Sequence, residues 1–146
     1  MYDYSTGLLA HIAVTGSKKA ALDGGRLRYF SGPVPASPDA AIDGSSVLIA
    51  EFTESHDGAT GLTFEATATD GILKKTEAEA WQSIVAAAGT ATFFRFSENG
   101  DAGTALSTTA KRMQGTLGTT IASDAQLTSV TFTLGQQIDA QIFQES

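Results

Sequence analysis

The sequence predicts a mainly β protein, an antiparallel β-sandwich or jelly-roll-like barrel with one or two short N-terminal helices. Three observations carry this. Helix-spaced apolar residues are confined to the first 25 positions; from Arg26 onward, short runs rich in Thr, Val, Ile and Phe are cut at brief intervals by Gly, Asp, Asn and Pro; and several runs alternate apolar with polar residues, the two-residue period of a half-buried strand.

In chain order, Leu8, Leu9, Ile12 and Ala13 recur at helical spacing after Ser5 or Thr6, either of which can cap the first amides. Gly16 can end this helix. Ser17 can cap a second one running to Leu22, with Asp23-Gly24-Gly25 as a left-handed stop. Strands are expected at Arg26 to Ser31, Val47 to Phe52, Leu62 to Ala68, Ile72 to Lys75 and Thr90 to Phe96. Val47 to Phe52 and Thr90 to Phe96 are partly apolar on both faces, which suits central strands. Val130 to Leu134 and Ile138 to Ile142, separated by Gly135, are expected to close the domain as a hairpin. Gly32 to Asp39 holds all three prolines and can be neither helix interior nor central strand, so it reads as a structured excursion over the surface. Glu77 to Ala88 fits either a short helix or a loop and strand edge around Trp81.

The chain has 146 residues, no Cys and a formal net charge of -7. It reads as a single domain over 1–146, helical over 1–25 and β over 26–146. A chain of this size buries about 68–70% of its unfolded surface, enough for one core without disulfides. The lack of Cys excludes disulfide frameworks, thiolate metal sites and Cys nucleophiles. Its acidic balance, with basic residues scattered among acids, argues against a nucleic-acid partner. Met1-Tyr2-Asp3-Tyr4 lacks the positive start of an export signal, and the longest apolar runs fall far short of a membrane helix.

Chemistry-bearing motifs are few. His56, in Glu54-Ser55-His56-Asp57-Gly58, stands beside a serine, but sequence neighbours rarely face each other as base and nucleophile, and there is no Gly-x-Ser-x-Gly elbow. His11 lies on the first helix. Glu51 with Glu54, or Glu77 with Glu79, could pair as acid and base, yet Trp81 is the only aromatic platform near them. Glu98-Asn99-Gly100-Asp101 has too few oxygen ligands for a calcium loop and reads as a tight hairpin turn. Gly115-Thr116-Leu117-Gly118 lacks the Lys-Ser/Thr of a phosphate loop. No catalytic, metal-binding or cofactor residue is assigned, and the expectation is a non-enzymatic protein without cofactor. Candidate contact residues are Leu8, Leu9, Ile12, Pro33, Val34, Pro35 and Trp81.

Several segments occur in an order that resembles small virion-associated proteins of tailed bacteriophages and prophages. They are Ser5-Thr6-Gly7-Leu8, Thr15-Gly16-Ser17, Gly25, Leu27 to Ala36 with its Ser31-Gly32-Pro33-Val34-Pro35 turn, and Gly61-Leu62-Thr63-Phe64. Asp70 to Leu73, Glu79-Ala80-Trp81, Gly89 to Arg95 with its Thr90-Ala91-Thr92-Phe93-Phe94 strand, and Arg112 to Gly118 follow. The resemblance implies a structural role in the particle: a capsid decoration or minor capsid protein on the head exterior, made in the host cytoplasm. It implies binding to the major capsid protein or another virion protein as a homo-oligomer, a trimer ahead of a dimer, with no nucleic-acid or membrane partner. The alternative is a tail or baseplate receptor- or carbohydrate-binding module. Ala110-Lys111 and the Gln144-Glu145-Ser146 terminus depart from the pattern at edges that could face partners.

Overall fold

The computed structural model describes residues 2–140 and 144–145. Met1, Ser146 and, from the expected final strand, Gln141 and Ile142 lie outside the described residues. The chain runs β1 (Asp3–Tyr4), α1 (Thr6–Val14), α2 (Lys18–Leu22), β2 (Arg26–Phe30), β3 (Leu48–Glu54), β4 (Leu73–Lys74), β5 (Trp81–Ile84), β6 (Gly89–Thr90), β7 (Phe93–Ser97), β8 (Arg112–Gly118), β9 (Ala125–Gln126), β10 (Thr131–Phe132), β11 (Gln137–Asp139) and β12 (Gln144–Glu145). The mainly antiparallel β class with two N-terminal helices is the one observed.

Both helices begin where the cap residues stand. Ser5 Oγ accepts from the Leu8 amide at 3.1 Å and Ser17 Oγ from the Ala20 amide at 3.1 Å, each satisfying a donor the helix start leaves open. After α2 the chain reverses through Gly24 at φ 81°, a left-handed conformation natural to glycine.

One eight-stranded sheet dominates, ordered β1-β8-β7-β2-β3-β5-β11, with β9 added in parallel to β8. β2 is flanked by β3 and β7, so the two expected central strands do sit centrally. Register and alternation then separate two faces. Leu27 stands between Phe52 and Phe96, and Phe96 faces Met113. With Tyr29, Ala50 and Phe94 these form the hydrophobic core, closed by Leu8, Leu22, Leu62, Phe64 and Trp81. The opposite face carries Glu51, Arg28, Arg95 and Gln114 in one cross-strand row and Arg26, Ser97 and Arg112 in the next. Phe30 and Phe93 stack on this second face at 5.3 Å and 15°.

Several expectations about the strands are corrected. Among the described residues, the segments around Gly135 pair elsewhere rather than with each other: Thr131–Phe132 pairs with Gly89–Thr90, whereas Gln137–Asp139 pairs with β5. Gly135, at φ 82°, turns the chain between two different ladders. Leu62 to Ala68 is not a strand. Leu62 and Phe64 make single bridges to Gly25 and Lys75 and point into the core, but Ala66 to Ala68 are exposed. The expected Thr90 to Phe96 strand is likewise broken at Ala91–Thr92, where the Thr92 hydroxyl donates to the Gly32 carbonyl at 2.6 Å. Glu98 to Asp101 is a tight turn, with the Asp101 amide on the Glu98 carbonyl at 3.1 Å, but it opens the long 98–111 connection to β8 rather than a short hairpin.

Candidate docking surface

The first helix is fixed at its start. Ser5, fully buried, donates from Oγ to the Ala110 carbonyl at 2.7 Å and accepts from the Arg112 amide at 2.9 Å. Gly7 lies so close to the 98–111 loop that a Cβ there would meet the Thr109 carbonyl oxygen at 2.2 Å. Leu8 follows into the core. This anchoring leaves Leu9 53%, Ile12 38% and Val14 87% exposed. The apolar stripe predicted along α1 is therefore split. Gly7 and Leu8 do the packing, because the glycine permits close backbone approach, and the rest faces outward.

The proline loop is held from beneath by side chains of β7 and β8. Gln114 Nε2 donates to the Pro35 carbonyl at 2.9 Å, Arg95 to those of Ser37 (3.3 Å) and Ala40 (3.0 Å), and Arg112 to that of Pro38 (3.2 Å). Arg95 also reaches the Gly103 carbonyl at 2.7 Å, and Arg112 that of Ala105 at 2.8 Å. Buried guanidiniums thus bind both loops, 32–47 and 98–111, to one sheet face. A guanidinium suits this because its five donors leave a rigid plane in fixed directions.

Charge is matched unevenly. Arg112 makes a two-pronged bond to Asp101 at 2.6 and 2.9 Å. Burial opposes ionisation of Asp101, but hydrogen bonds from Arg112 and Gly103 and the charges of Arg112 and Arg28 outweigh it, holding the carboxyl below its ordinary range. Arg26 and Arg28 share Glu51 at 2.6 and 2.7 Å, and Glu51 is likewise held low against the effect of burial. Arg95 touches neutral acceptors alone. Burial, and then the nearby Arg112 charge, bring its pKa down to about 10.

The helix and the loop meet at one point. The Thr6 amide and hydroxyl donate to the two carboxylate oxygens of Asp39 at 2.9 and 2.6 Å. Leu9, Ile12, exposed Pro33, Val34 (44% exposed) and half-buried Pro35 are thereby carried on two segments joined to each other and to the sheet. Leu8 and Trp81 do not belong to this surface. Both are core residues; the Trp81 ring packs edge-on against Phe64 at 5.5 Å and its Nε1 donates to Glu79 Oε2 at 2.8 Å. Burial of Trp81 leaves no orphan donor, because its N–H finds the Glu79 carboxylate.

Of the acids weighed as catalytic pairs, Glu51, Glu54 and Glu79 have structural partners. Glu51 holds two arginines, and Glu79 accepts from the Thr63 amide (2.9 Å) and hydroxyl (2.6 Å) as well as Trp81. Ser55 Oγ donates to Glu54 at 2.8 Å in an exposed turn, far in sequence from His11 on α1. Among the described residues no three His, Asp or Glu side chains converge as a metal ion requires, and no helix is long and apolar enough to cross a membrane. The sequence reading missed the buried Arg28, Arg95, Arg112 and Gln114 network. Its one signal was an Arg or Gln at alternate positions in β2 (Arg26, Arg28) and β8 (Arg112, Gln114), with a lone Arg95 in the otherwise apolar β7. Compared with known proteins, the chain matches no family model, no curated protein and no solved structure.

Proposed function

We propose that this protein is a structural component of a tailed-phage virion, a decoration or minor capsid protein that docks on the head exterior as a homo-oligomer and reinforces the assembled lattice. The observation that carries the docking reading is the Thr6–Asp39 junction, which makes α1 and the proline loop one rigid surface with exposed Leu9, Ile12 and Val34. A surface already held in one shape loses less entropy on docking. The virion assignment is supported by the ordered resemblance of the segments named above. No catalytic step is part of this reading, and the partner is the major capsid protein or another virion protein.

The test combines localisation with point variants. Electron microscopy of particles should place the protein on the head, and Leu9→Asp, Ile12→Asp and Val34→Asp should fold normally yet bind particles at least about tenfold more weakly, as expected for anchors worth more than 1.4 kcal/mol. Location on the tail would favour the receptor-binding alternative. Full binding by all three variants would remove this surface from the interface. Deleting Met1 to Gly16 is the poorer experiment, because Ser5 and Leu8 are buried and their loss would unsettle the fold itself.

A further inference from the structure

Asn99 is the only asparagine in the chain, and a glycine follows it. Both stand exposed in the tight turn after β7, where Gly100 takes φ 87° and a Cβ on it would meet nothing within 4 Å. The Asp101 amide on the Glu98 carbonyl, at 3.1 Å, closes the turn. Neither the Gly100 amide nor the Asn99 side chain makes a hydrogen bond to another described residue.

We propose that Asn99 is a site of spontaneous deamidation through attack by the Gly100 amide, and that the product loosens the 98–111 loop. The inference concerns the ageing of the folded protein and stands apart from the docking reading.

The Gly100 nitrogen gives up its proton and bonds to the side-chain carbonyl carbon of Asn99, Cγ, while the Cγ–Nδ2 bond breaks and that nitrogen leaves as ammonia. Water then opens the cyclic imide. Opening at Cγ leaves aspartate at position 99; opening at the main-chain carbonyl carbon leaves isoaspartate, whose backbone runs through Cγ and is one carbon longer. Ring closure has to swing the Gly100 nitrogen toward Cγ. Glycine puts no Cβ in the way, and an exposed turn spanned by one main-chain hydrogen bond opens at little cost. The Asp-Gly steps at Asp23, Asp43, Asp57 and Asp70 are poorer sites, because an ionised carboxylate is a weak electrophile. Two of their glycine amides are also engaged, Gly24 by the Leu62 carbonyl at 2.8 Å and Gly58 by the Thr53 hydroxyl at 3.1 Å.

The turn lies between two ion pairs that fix the loop. On one side Glu98 accepts from the Lys111 amide at 2.9 Å and from its Nζ at 2.6 Å. On the other, the Asp101 carboxylate holds Arg112 and accepts from the Gly103 amide at 3.1 Å, and its carbonyl accepts from Arg28 at 3.1 Å. An added main-chain carbon between Glu98 and Asp101 displaces one anchor against the other, and the new carboxylate places like charge beside two acids.

Full-length protein held at pH 8 in heavy-oxygen water tests both halves. Its mass should rise by the difference between ammonia lost and labelled water gained, and peptide mapping with electron-transfer fragmentation should place the change at position 99, mainly as isoaspartate. Asn99→Gln should lose the change. The capped peptide acetyl-Ser-Glu-Asn-Gly-Asp-Ala-amide, treated alike, sets the time allowed: folded protein still unconverted when the peptide has turned over completely overturns the proposal, and so does a mass gain of the same size in Asn99→Gln. Converted protein, separated by its extra negative charge, should melt at least about 2 °C below the unconverted fraction and lose amide-exchange protection across 98–111. Equal melting and equal protection overturn the loosening of the loop. Asn99→Asp carries the charge on an ordinary backbone and should melt between the two fractions; melting as low as the isoaspartate form overturns the added carbon as the cause.

Discussion

Gln114 Oε1 accepts from both Nε and Nη2 of Arg95, at 3.1 and 2.5 Å, so a fully buried guanidinium is held by a neutral amide where a carboxylate would be the usual partner. The other three contacts of Arg95 are backbone carbonyls of two loops. The charge is tolerated because each donor direction is met, and the loops are ordered because they supply the acceptors.

Removing that guanidinium should therefore act on two loops at once. Arg95→Ala is expected to cost about 3–5 kcal/mol, the range for leaving buried polar partners uncompensated. Urea unfolding measures it, and amide exchange should show lost protection around Ala40 and Gly103 ahead of the core strands. Arg95→Lys should rescue little, since one ammonium cannot meet carbonyls on both sides.

Phe93 and Phe94 are both fully buried but on opposite faces, Phe94 in the core and Phe93 stacked on Phe30 among the arginines. Each truncation to Ala should cost about 3–5 kcal/mol. A double-mutant cycle of Phe30 and Phe93 should yield a coupling of about 0.5–1.5 kcal/mol, and none between Phe30 and Phe96. Near-wild-type denaturation midpoints for both truncations would refute this placement.

Acid should weaken the loop clamp. Asp101 and Glu51 both titrate below their ordinary values of 3.8 and 4.5 in the folded protein. The unfolded chain therefore binds protons first as pH falls, so the stability these groups add is complete above the ordinary values and is lost as pH drops through the lower folded ones. Melting temperature followed from pH 6 to pH 2 should fall, and more shallowly in Asp101→Asn, which starts less stable at neutral pH.

Ser55 and His56 both have positive φ, 50° and 54°, and the Asp57 amide bonds to the Glu54 carbonyl at 3.1 Å. This is the pattern of a mirror-image turn, for which Asn-Gly is the favoured pair. Ser55→Asn with His56→Gly should raise stability by about 1 kcal/mol by relieving left-handed strain, read as a higher melting temperature. A drop would mean that these side chains contribute more than the strain costs.

Local signals in the sequence determined much of this protein. Ser5 or Thr6 and Ser17 mark the two helix starts, Asp23-Gly24-Gly25 the reversal after α2, and the partly two-faced apolar runs Val47 to Phe52 and Thr90 to Phe96 the central strands, because caps, left-handed turns and local hydrophobicity are properties of neighbouring residues; the clearest alternation, Leu62 to Ala68, did not become a strand. The joining of α1 to the proline loop was not legible, although both segments were singled out, since Thr6 and Asp39 are brought together only by the tertiary arrangement of the sheet between them. Nor was the fate of the arginine face. Alternation says that Arg28, Arg95 and Arg112 point away from Leu27, Phe94 and Met113, but whether that side meets water depends on loops 32–47 and 98–111 folding over it. The same holds for the segments around Gly135, where adjacent stretches of equal strand propensity chose distant partners. Pairing and burial are decided by contacts between residues far apart in the chain, where buried donors find carbonyls and apolar faces find each other, and that choice belongs to the tertiary structure.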